Sequence, residues 1–424
     1  MQRNLISDHS RGTAAERLMS RMTGRRTVLA GGAGALFGAA LVGTSRAETQ
    51  LAPAATPASA GFDLKLARQL QQTLDDVVAA SKGAIPGAVL HVARGGGSWS
   101  GAAGFAQIEP SIAMRPDDRV GVGSIVKPFV AATVLQLIEE DRFALDAALP
   151  EVLPASATDR FPSAPQITVR MLLSHRSGLP DWNSPEVEAT AARDPGRIWR
   201  VSELLDLAAA RTQTFPPGTD YAYSNTNYTL LGLVIERAAG RSWRDEVTDR
   251  VVTPLGLAAS VLPTPGDRSL GGPHAHGYAA VNGKLLDITT VDPSMAGSAG
   301  GNSLVTNVGD LVRFLDGLLG GRLFQRPESL DAMLDFQPAA GCPTCEPGQV
   351  GYGLGLLRRV LPGGLETVDH LGGAVGFRAY VARLEGRQIT LATAMNSLAD
   401  PSLLVVPVLN AFAAEAPTTA TPAV

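Results

Sequence analysis

The chain has 424 residues, 45% apolar and 18% charged, with 36 Lys and Arg against 40 Asp and Glu. That length and apolar content provide a real core, in one large domain or two small ones. A formal net charge of −4 with no basic stripe excludes the electrostatic footprint of a nucleic-acid binder, and no run beyond the N-terminal region is long and apolar enough to cross a bilayer as a helix.

The first segment reads as an address. Gly24-Arg25-Arg26-Thr27-Val28-Leu29 is an arginine pair followed at once by an apolar stretch from Val28 to about Val42, and Ser45-Arg46-Ala47 supplies small residues for cleavage after Ala47. Charge, apolar run and small residues stand in the order of an export signal, and the pattern resembles the twin-arginine type. The expectation is that residues 1–47 are that signal. The protein is then periplasmic or secreted, without a stable span after processing. Residues 48–61, rich in Ala, Pro and Thr, read as a flexible spacer. His9 falls in the signal.

From Phe62 onward the periodicity predicts a continuous folded unit to about residue 415. Leu64 to Ala80 reads as an amphipathic helix with Leu66, Leu70, Leu74 and Val77 or Val78 on one face. Pro86 to Val92 and Ser98 to Ile108 read as strands joined by the glycines at 95–97, with His91 in the apolar part of the first. The Gly-rich run Val120-Gly121-Val122-Gly123 leads into a helix from Ser124 to Glu140, with its stripe at Phe129, Val130, Val134, Leu137 and Ile138. Pro128 is compatible with the first turn, where N–H groups are unpaired anyway.

Roughly residues 145–289 are loops and helices, among them Val201 to Ala209 and Tyr228 to Ala239. Leu311, Phe314, Leu315 and Leu318 mark a further helix capped by Thr306 or Asn307. Then the character changes. Gly353 to Leu361, Glu366 to Leu371, Phe377 to Leu384 and Gln388 to Met395 are closely spaced strands, Leu403 to Ala414 is a closing helix, and residues 416–424 read as a disordered tail. The pattern predicts a mixed α/β (α+β) fold. One antiparallel sheet is assembled from both ends of the chain and flanked by helices, with a mainly helical lobe inserted and a cleft between lobe and sheet. Cys342 and Cys345, among Pro and Gly and without a second pair, predict a small loop disulfide with no catalytic part.

Three motifs carry chemistry. Ser124 and Lys127 are three apart, so hydroxyl and amine share one helix face and the amine can take the proton that makes the hydroxyl a nucleophile. Tyr223-Ser224-Asn225 precedes a helix. Its phenol would serve as a base if a nearby cation lowered its pKa, and Asn225 would orient Lys127 and a substrate carbonyl. His370-Leu371-Gly372-Gly373 ends a strand, where a histidine offers a proton or a donor and glycines admit a substrate close to the backbone.

With these residues together, the chain resembles the serine β-lactamase and penicillin-binding protein superfamily, in its class C β-lactamase, DD-carboxypeptidase and β-lactamase-like esterase branch. The likeness runs through Gly123-Ser124-Ile125-Val126-Lys127-Pro128-Phe129, Leu172-Leu173-Ser174-His175-Arg176-Ser177-Gly178-Leu179, Pro217-Gly218, Tyr223 to Tyr228, Leu231-Gly232 and Tyr352-Gly353-Leu354-Gly355. His370-Leu371-Gly372 stands where the family has Lys-Thr-Gly or His-Thr-Gly. The resemblance implies a β-lactamase/transpeptidase-like fold and no cofactor. Ser124 is then the acylated nucleophile, Lys127 and Tyr223 share proton transfer with either as base, and His370 replaces the motif's lysine. The N–H groups of Ser124 and Gly373 are the implied oxyanion hole, with Asn225, Leu371 and Gly372 against the substrate.

Within that family two carboxylate-binding positions are altered. Leu357 stands where an arginine is expected and Leu371 where a threonine is, and leucine cannot imitate a guanidinium–carboxylate pair. Arg359, two residues on and on the same strand face, and Arg378 are the candidate substitutes. The implied partners are a small-molecule or peptidoglycan-peptide substrate, with β-lactams as acylating ligands. The first expectation is a D-alanyl-D-alanine carboxypeptidase-like peptidase, with an esterase, a β-lactamase or an inactive penicillin-binding sensor as alternatives. His175 reads as structural beneath the site, and His274-Ala275-His276 as a loop pair without a metal.

Overall fold

The computed structural model describes residues 58–281, 283–292, 304–339, 341–361 and 363–413. The expected export signal, most of the spacer and the tail lie outside these. Helix α1 (Leu64–Ala80) starts at Asp63, whose carboxylate accepts from the Lys65 N–H at 2.7 Å and so satisfies a first-turn amide. Leu66, Leu70 and Leu74 recur every fourth residue along it and are all buried.

The sheet contains β1 (Gly87–Arg94), β2 (Gly97–Gln107), β3 (Ile112–Ala113), β4 (Gln337–Pro338), β5 (Gln349–Tyr352), β6 (Leu357–Leu361), β7 (Leu365–Ala374), β8 (Phe377–Leu384) and β9 (Ile389–Met395). Their spatial order is β3-β2-β1-β9-β8-β7-β6-β5-β4, and every neighbour is antiparallel. The two ends of the chain meet at β1 and β9, where Ala88 faces Met395 and Arg94 faces Ile389. Both faces are covered, so alternate residues of one strand enter different cores. Leu90 and Val92 pack with α1 and with the closing helix Ser402–Ala413, whereas Val89 joins the core beneath the lobe.

Helix α2 (Val126–Glu139) fills that second core. Its buried surface is wider than the stripe expected from sequence and includes Ala131, Ala132, Thr133 and Leu135. The reason is its position, packed against α3 (Asn225–Ala239) and stacked on α4 (Val308–Leu319) through Phe129 and Phe314, whose ring centroids are 3.5 Å apart. Asn307, the second of the two cap candidates, caps α4 by accepting from the Asp310 N–H at 2.9 Å. Between β3 and β4 lie the inserted helices, among them Val169–Leu173, Val201–Ala209 and Trp243–Val247.

Two local expectations are corrected. Gly353 to Leu361 is not one strand: β5 ends at Tyr352, the chain bends, and β6 begins at Leu357. Gly355 makes the bend with φ +93°, and a Cβ there would stand 2.9 Å from the Ala131 Cβ, so only glycine lets this turn lie on α2. The stretch expected to be helical also ends in a hairpin, Tyr278–Val281 with Lys284–Asp287. The Tyr278 N–H donates to the carbonyls of Gly376 and Asn396, each at 3.2 Å, which brings the inserted segment back onto the sheet.

Removing the stacked ring in Phe129→Ala is expected to cost about 3–5 kcal/mol. Urea unfolding measures this, and a loss below about 1 kcal/mol would contradict the core assigned to α2.

Candidate active site

Ser124 lies in a 3-10 turn, Gly123–Ile125, that runs straight into α2. The end of β7 is pressed onto this turn. Gly123 has φ +50°, and a Cβ on it would meet the Gly373 carbonyl oxygen at 2.1 Å. A Cβ on Gly372 would meet the Val122 oxygen at 1.9 Å. Side chains at either position would force serine turn and strand apart. The Ser124 Oγ is 2.9 Å from the Lys127 Nζ and 2.8 Å from the Tyr223 OH, which donates to it. Lys127 Nζ also donates to Asn225 Oδ1 at 2.9 Å. The four residues found from separate motifs therefore meet in one hydrogen-bonded chain.

Tyr223 and Asn225 are held from below by Leu172 to Trp182. His175 O accepts from the Ala222 N–H at 3.1 Å. Its Nδ1 accepts from the Ser224 N–H at 3.2 Å and from Asn227 Nδ2 at 3.0 Å. With two donors on Nδ1 the buried ring is neutral, as its strongly lowered pKa requires, burial being the main cause. This agrees with a structural place for His175. Asp181 accepts from the Asn225 backbone N–H at 3.1 Å and from Asn225 Nδ2 at 3.0 Å, which fixes the amide so that its oxygen faces Lys127.

Lys127 is completely buried. Its amine lies 4.7 Å from the Tyr223 ring centroid and 5.5 Å from that of Tyr228. Loss of hydration disfavours the ammonium and brings the Lys127 pKa down to about 7, with Asp181 pulling weakly the other way. An amine of that pKa is a proton acceptor near neutrality. Tyr223 is the opposite case: burial pushes its phenol well above the ordinary range, outweighing the hydrogen bond to Ser124 that lowers it. The expectation of a phenol acidified by a neighbouring cation is thus corrected. Burial dominates, and Tyr223 keeps its proton.

A cavity of ≈ 590 Å³ opens from Ser124 and is lined by Tyr223, His370, Leu371 and Gly373, then by Leu357, Arg359 and Tyr380 farther out. His370 does not replace a lysine's charge. It is buried, its Nδ1 donates to the Leu371 carbonyl at 2.7 Å, and burial together with Lys127 pushes its pKa down to about 3. Arg359 shares the cavity face with Leu357 as expected, but its charge is paired within the fold, although its Nη2 has no hydrogen-bond partner among the described residues. Its Nε donates to the buried Asp369 carboxylate at 2.8 Å, so it is no free carboxylate anchor. Leu357 is buried against Tyr221 and Tyr352. Arg378 lines the cavity beside Gly373, where an added Cβ would stand 2.2 Å from its Nη1.

Outside the cavity, His91 hydrogen-bonds Ser100 Oγ at 2.6 Å, and His274 and His276 stack at 5.6 Å with Nδ1 atoms bonded to Gly272 O and Asp287 Oδ2. Cys342 and Cys345 form the expected disulfide. Sequence reasoning missed Asp181. Its signal was an acidic residue directly after Gly178-Leu179-Pro180 and before Trp182, an apolar setting where a carboxylate needs a partner.

A family model described as Beta-lactamase matches residues 65–415. The chain belongs to the Beta-lactamase family. It is similar to Penicillin-binding protein 4 of Amycolatopsis lactamdurans, 30% identical over 61% of this chain and 67% of the relative. It is similar to Esterase EstB of Burkholderia gladioli, 29% identical over 77% of this chain and 90% of the relative. Among solved structures it is similar to a D-stereospecific amidohydrolase from Streptomyces sp., with TM-score 0.70 and 31% identity, covering 80% of this chain and 97% of that one. Membership in this family makes the chain a serine hydrolase.

If Lys127 is the group that must be neutral, kcat/KM rises with pH through about 7. Asp181 raises the Lys127 pKa, so Asp181→Asn is expected to move that limb to lower pH. A pH–rate profile of both proteins checks this, and a limb that stays in place or moves upward contradicts the assignment.

Proposed function

We propose that the protein is an exported acyl-enzyme hydrolase of small amides and esters bearing a D-configured residue. The observation that carries the chemistry is the Ser124 Oγ held between the Lys127 amine at 2.9 Å and the Tyr223 phenol at 2.8 Å. Ser124 attacks the substrate carbonyl while its proton passes to the neutral Lys127 amine. The tetrahedral oxyanion is received by the N–H groups of Ser124 and Gly373, an arrangement in which one donor is typically worth about 10²–10³ in turnover. Tyr223 passes its proton to the leaving amine or alkoxide and regains one from Lys127. Water then releases the acyl group by the same steps in reverse. β-Lactams, cyclic amides, are acylating ligands of the same Ser124.

The D-configuration is supported by the similar D-stereospecific amidohydrolase of Streptomyces sp., and the ester by Esterase EstB. A neutral substrate end is supported by this chain's own residues. Arg359 is compensated by Asp369, Leu357 is apolar, and Leu371 lines the cavity. A second reading, the D-alanyl-D-alanine carboxypeptidase, is favoured by Arg378 alone, whose guanidinium lies over Gly373 within reach of a substrate carboxylate. Export rests on the order of Arg25-Arg26, the apolar run and Ala47.

A substrate panel decides between these. Turnover is expected on D-amino acid amides and p-nitrophenyl esters above their L counterparts, and above a peptide ending in D-Ala-D-Ala. Ser124→Ala should lose turnover and labelling by a fluorophosphonate together. Preference for the carboxylate-ended peptide, lost in Arg378→Met, would install the second reading. A Ser124→Ala protein with undiminished activity would end both.

A further inference from the structure

The loop Gly341–Gln349 joins β4 to β5 and overhangs the Ser124 cavity, which Thr344, Glu346 and Pro347 line. Its Cys342–Cys345 disulfide closes a turn in which the Cys345 N–H donates to the Cys342 carbonyl at 3.0 Å. Both cysteines pack on the cluster of Tyr221, Tyr352 and Leu357 beside the cavity. Thr344, exposed and lying between the two cysteines, brings its Oγ1 to 3.1 Å from the Tyr223 backbone N–H, which donates to it. The same Oγ1 is 3.5 Å from Cys342 Sγ.

Three successive amides around the catalytic phenol are therefore held from two sides. His175 accepts from Ala222 and Ser224 beneath, and Thr344 accepts from Tyr223 between them on the loop side. The lower support belongs to a packed core. The loop-side support depends on a short exposed turn, which the disulfide constrains.

We propose that Thr344 is a positioning residue for Tyr223, and that the Cys342–Cys345 bond makes this support, and with it the rate of Ser124 acylation, responsive to thiol reductants. The inference rests on the reading of Ser124 and Tyr223 as the acylating pair. A dithiol such as dithiothreitol supplies two electrons: the Cys342–Cys345 bond breaks to two thiols, and the reagent closes to its own disulfide. The turn then keeps its one backbone hydrogen bond but loses its covalent closure. Thr344 spends less time against the Tyr223 amide, and the phenol less time at 2.8 Å from Ser124.

The test is the rate at which a small fluorophosphonate, too short to touch the loop, labels Ser124. Thr344→Val keeps the shape and removes the acceptor; Thr344→Ser keeps the acceptor. Thr344→Val should label about three- to tenfold more slowly, the size expected for one neutral hydrogen bond, with an unchanged Tm. Thr344→Ser should match wild type. Dithiothreitol should slow wild type to a similar degree, and should leave Cys342→Ser/Cys345→Ser and Thr344→Val unaffected, since bond and hydroxyl act through one contact. Wild-type labelling in Thr344→Val, equal losses in Thr344→Val and Thr344→Ser, or no effect of reductant on wild type would overturn the proposal. Should Thr344→Val fail to fold, the comparison of wild type with the double serine variant under reductant decides alone. A wild type that never labels would instead refute the hydrolase reading itself.

Discussion

A lysine amine sealed from water is the constraint on which the rest of this site depends. An isolated buried ammonium costs several kcal/mol even after relaxation, so the surroundings decide whether the charge survives. Here the neighbours are neutral: the Tyr223 and Tyr228 rings, His175 and His370. The negative group, Asp181, is kept one side chain away by Asn225, which contacts Lys127 with its oxygen and Asp181 with its nitrogen. A carboxylate touching the amine would restore the ammonium and abolish a base. An amide in between orients the amine while passing on little of that charge. The neutral histidines follow the same rule, since each has its own pKa lowered partly by Lys127.

The fold supplies this cage by joining parts far apart in the chain. Ser124 and Lys127 come with α2, Tyr223 and Asn225 with the start of α3, and His370 with β7. β7 reaches the serine turn only because it stands inside a sheet whose other half, β1 to β3, comes from before the inserted lobe. The contact tolerates no side chain at Gly123 or Gly372. The separation between nucleophile and oxyanion donor is thus set by backbone against backbone, which is stiffer than any side-chain contact.

Much of this was legible in the residues. Period-four leucines gave α1 its bounds, and closely spaced β-rich runs marked the last strands. Where each face of an element has its own core, periodicity reports less: α2 is buried beyond its apparent stripe because helices lie on several sides of it. The break at Gly355 depends on the approach of Ala131, a residue more than two hundred positions away, and no local pattern announces that. In the site, Ser124, Lys127, Tyr223 and Asn225 were visible as motifs because their spacing is local. Their protonation was not, because a pKa depends on what lies around the group in three dimensions. Tyr223 was expected to be acidified by a cation; in the fold burial dominates and drives its pKa up instead. Asp181 touches the machinery through Asn225, far along the chain, so its apolar local setting hinted at a partner but not at which one.

The same gap between sequence and space governs the outer end of the cavity. Arg359 shares the cavity-facing side of its strand with Leu357, as the two-residue spacing indicated. Its charge depends on the facing strand, where Thr367 lies opposite it and Asp369 opposite Leu357. Asp369 receives both the Arg359 guanidinium at 2.8 Å and the Thr367 hydroxyl at 2.6 Å in full burial. Binding a substrate carboxylate there would require a second anion beside a pair already neutral, in a setting where charge is poorly screened. A neutral acyl, amide or ester portion meets no such opposition, and the Leu357 and Leu371 walls favour it. Arg378, beside Gly373, is a further cation on the cavity wall. Under the proposed function, Arg378 is the cavity cation whose replacement separates the two substrate classes.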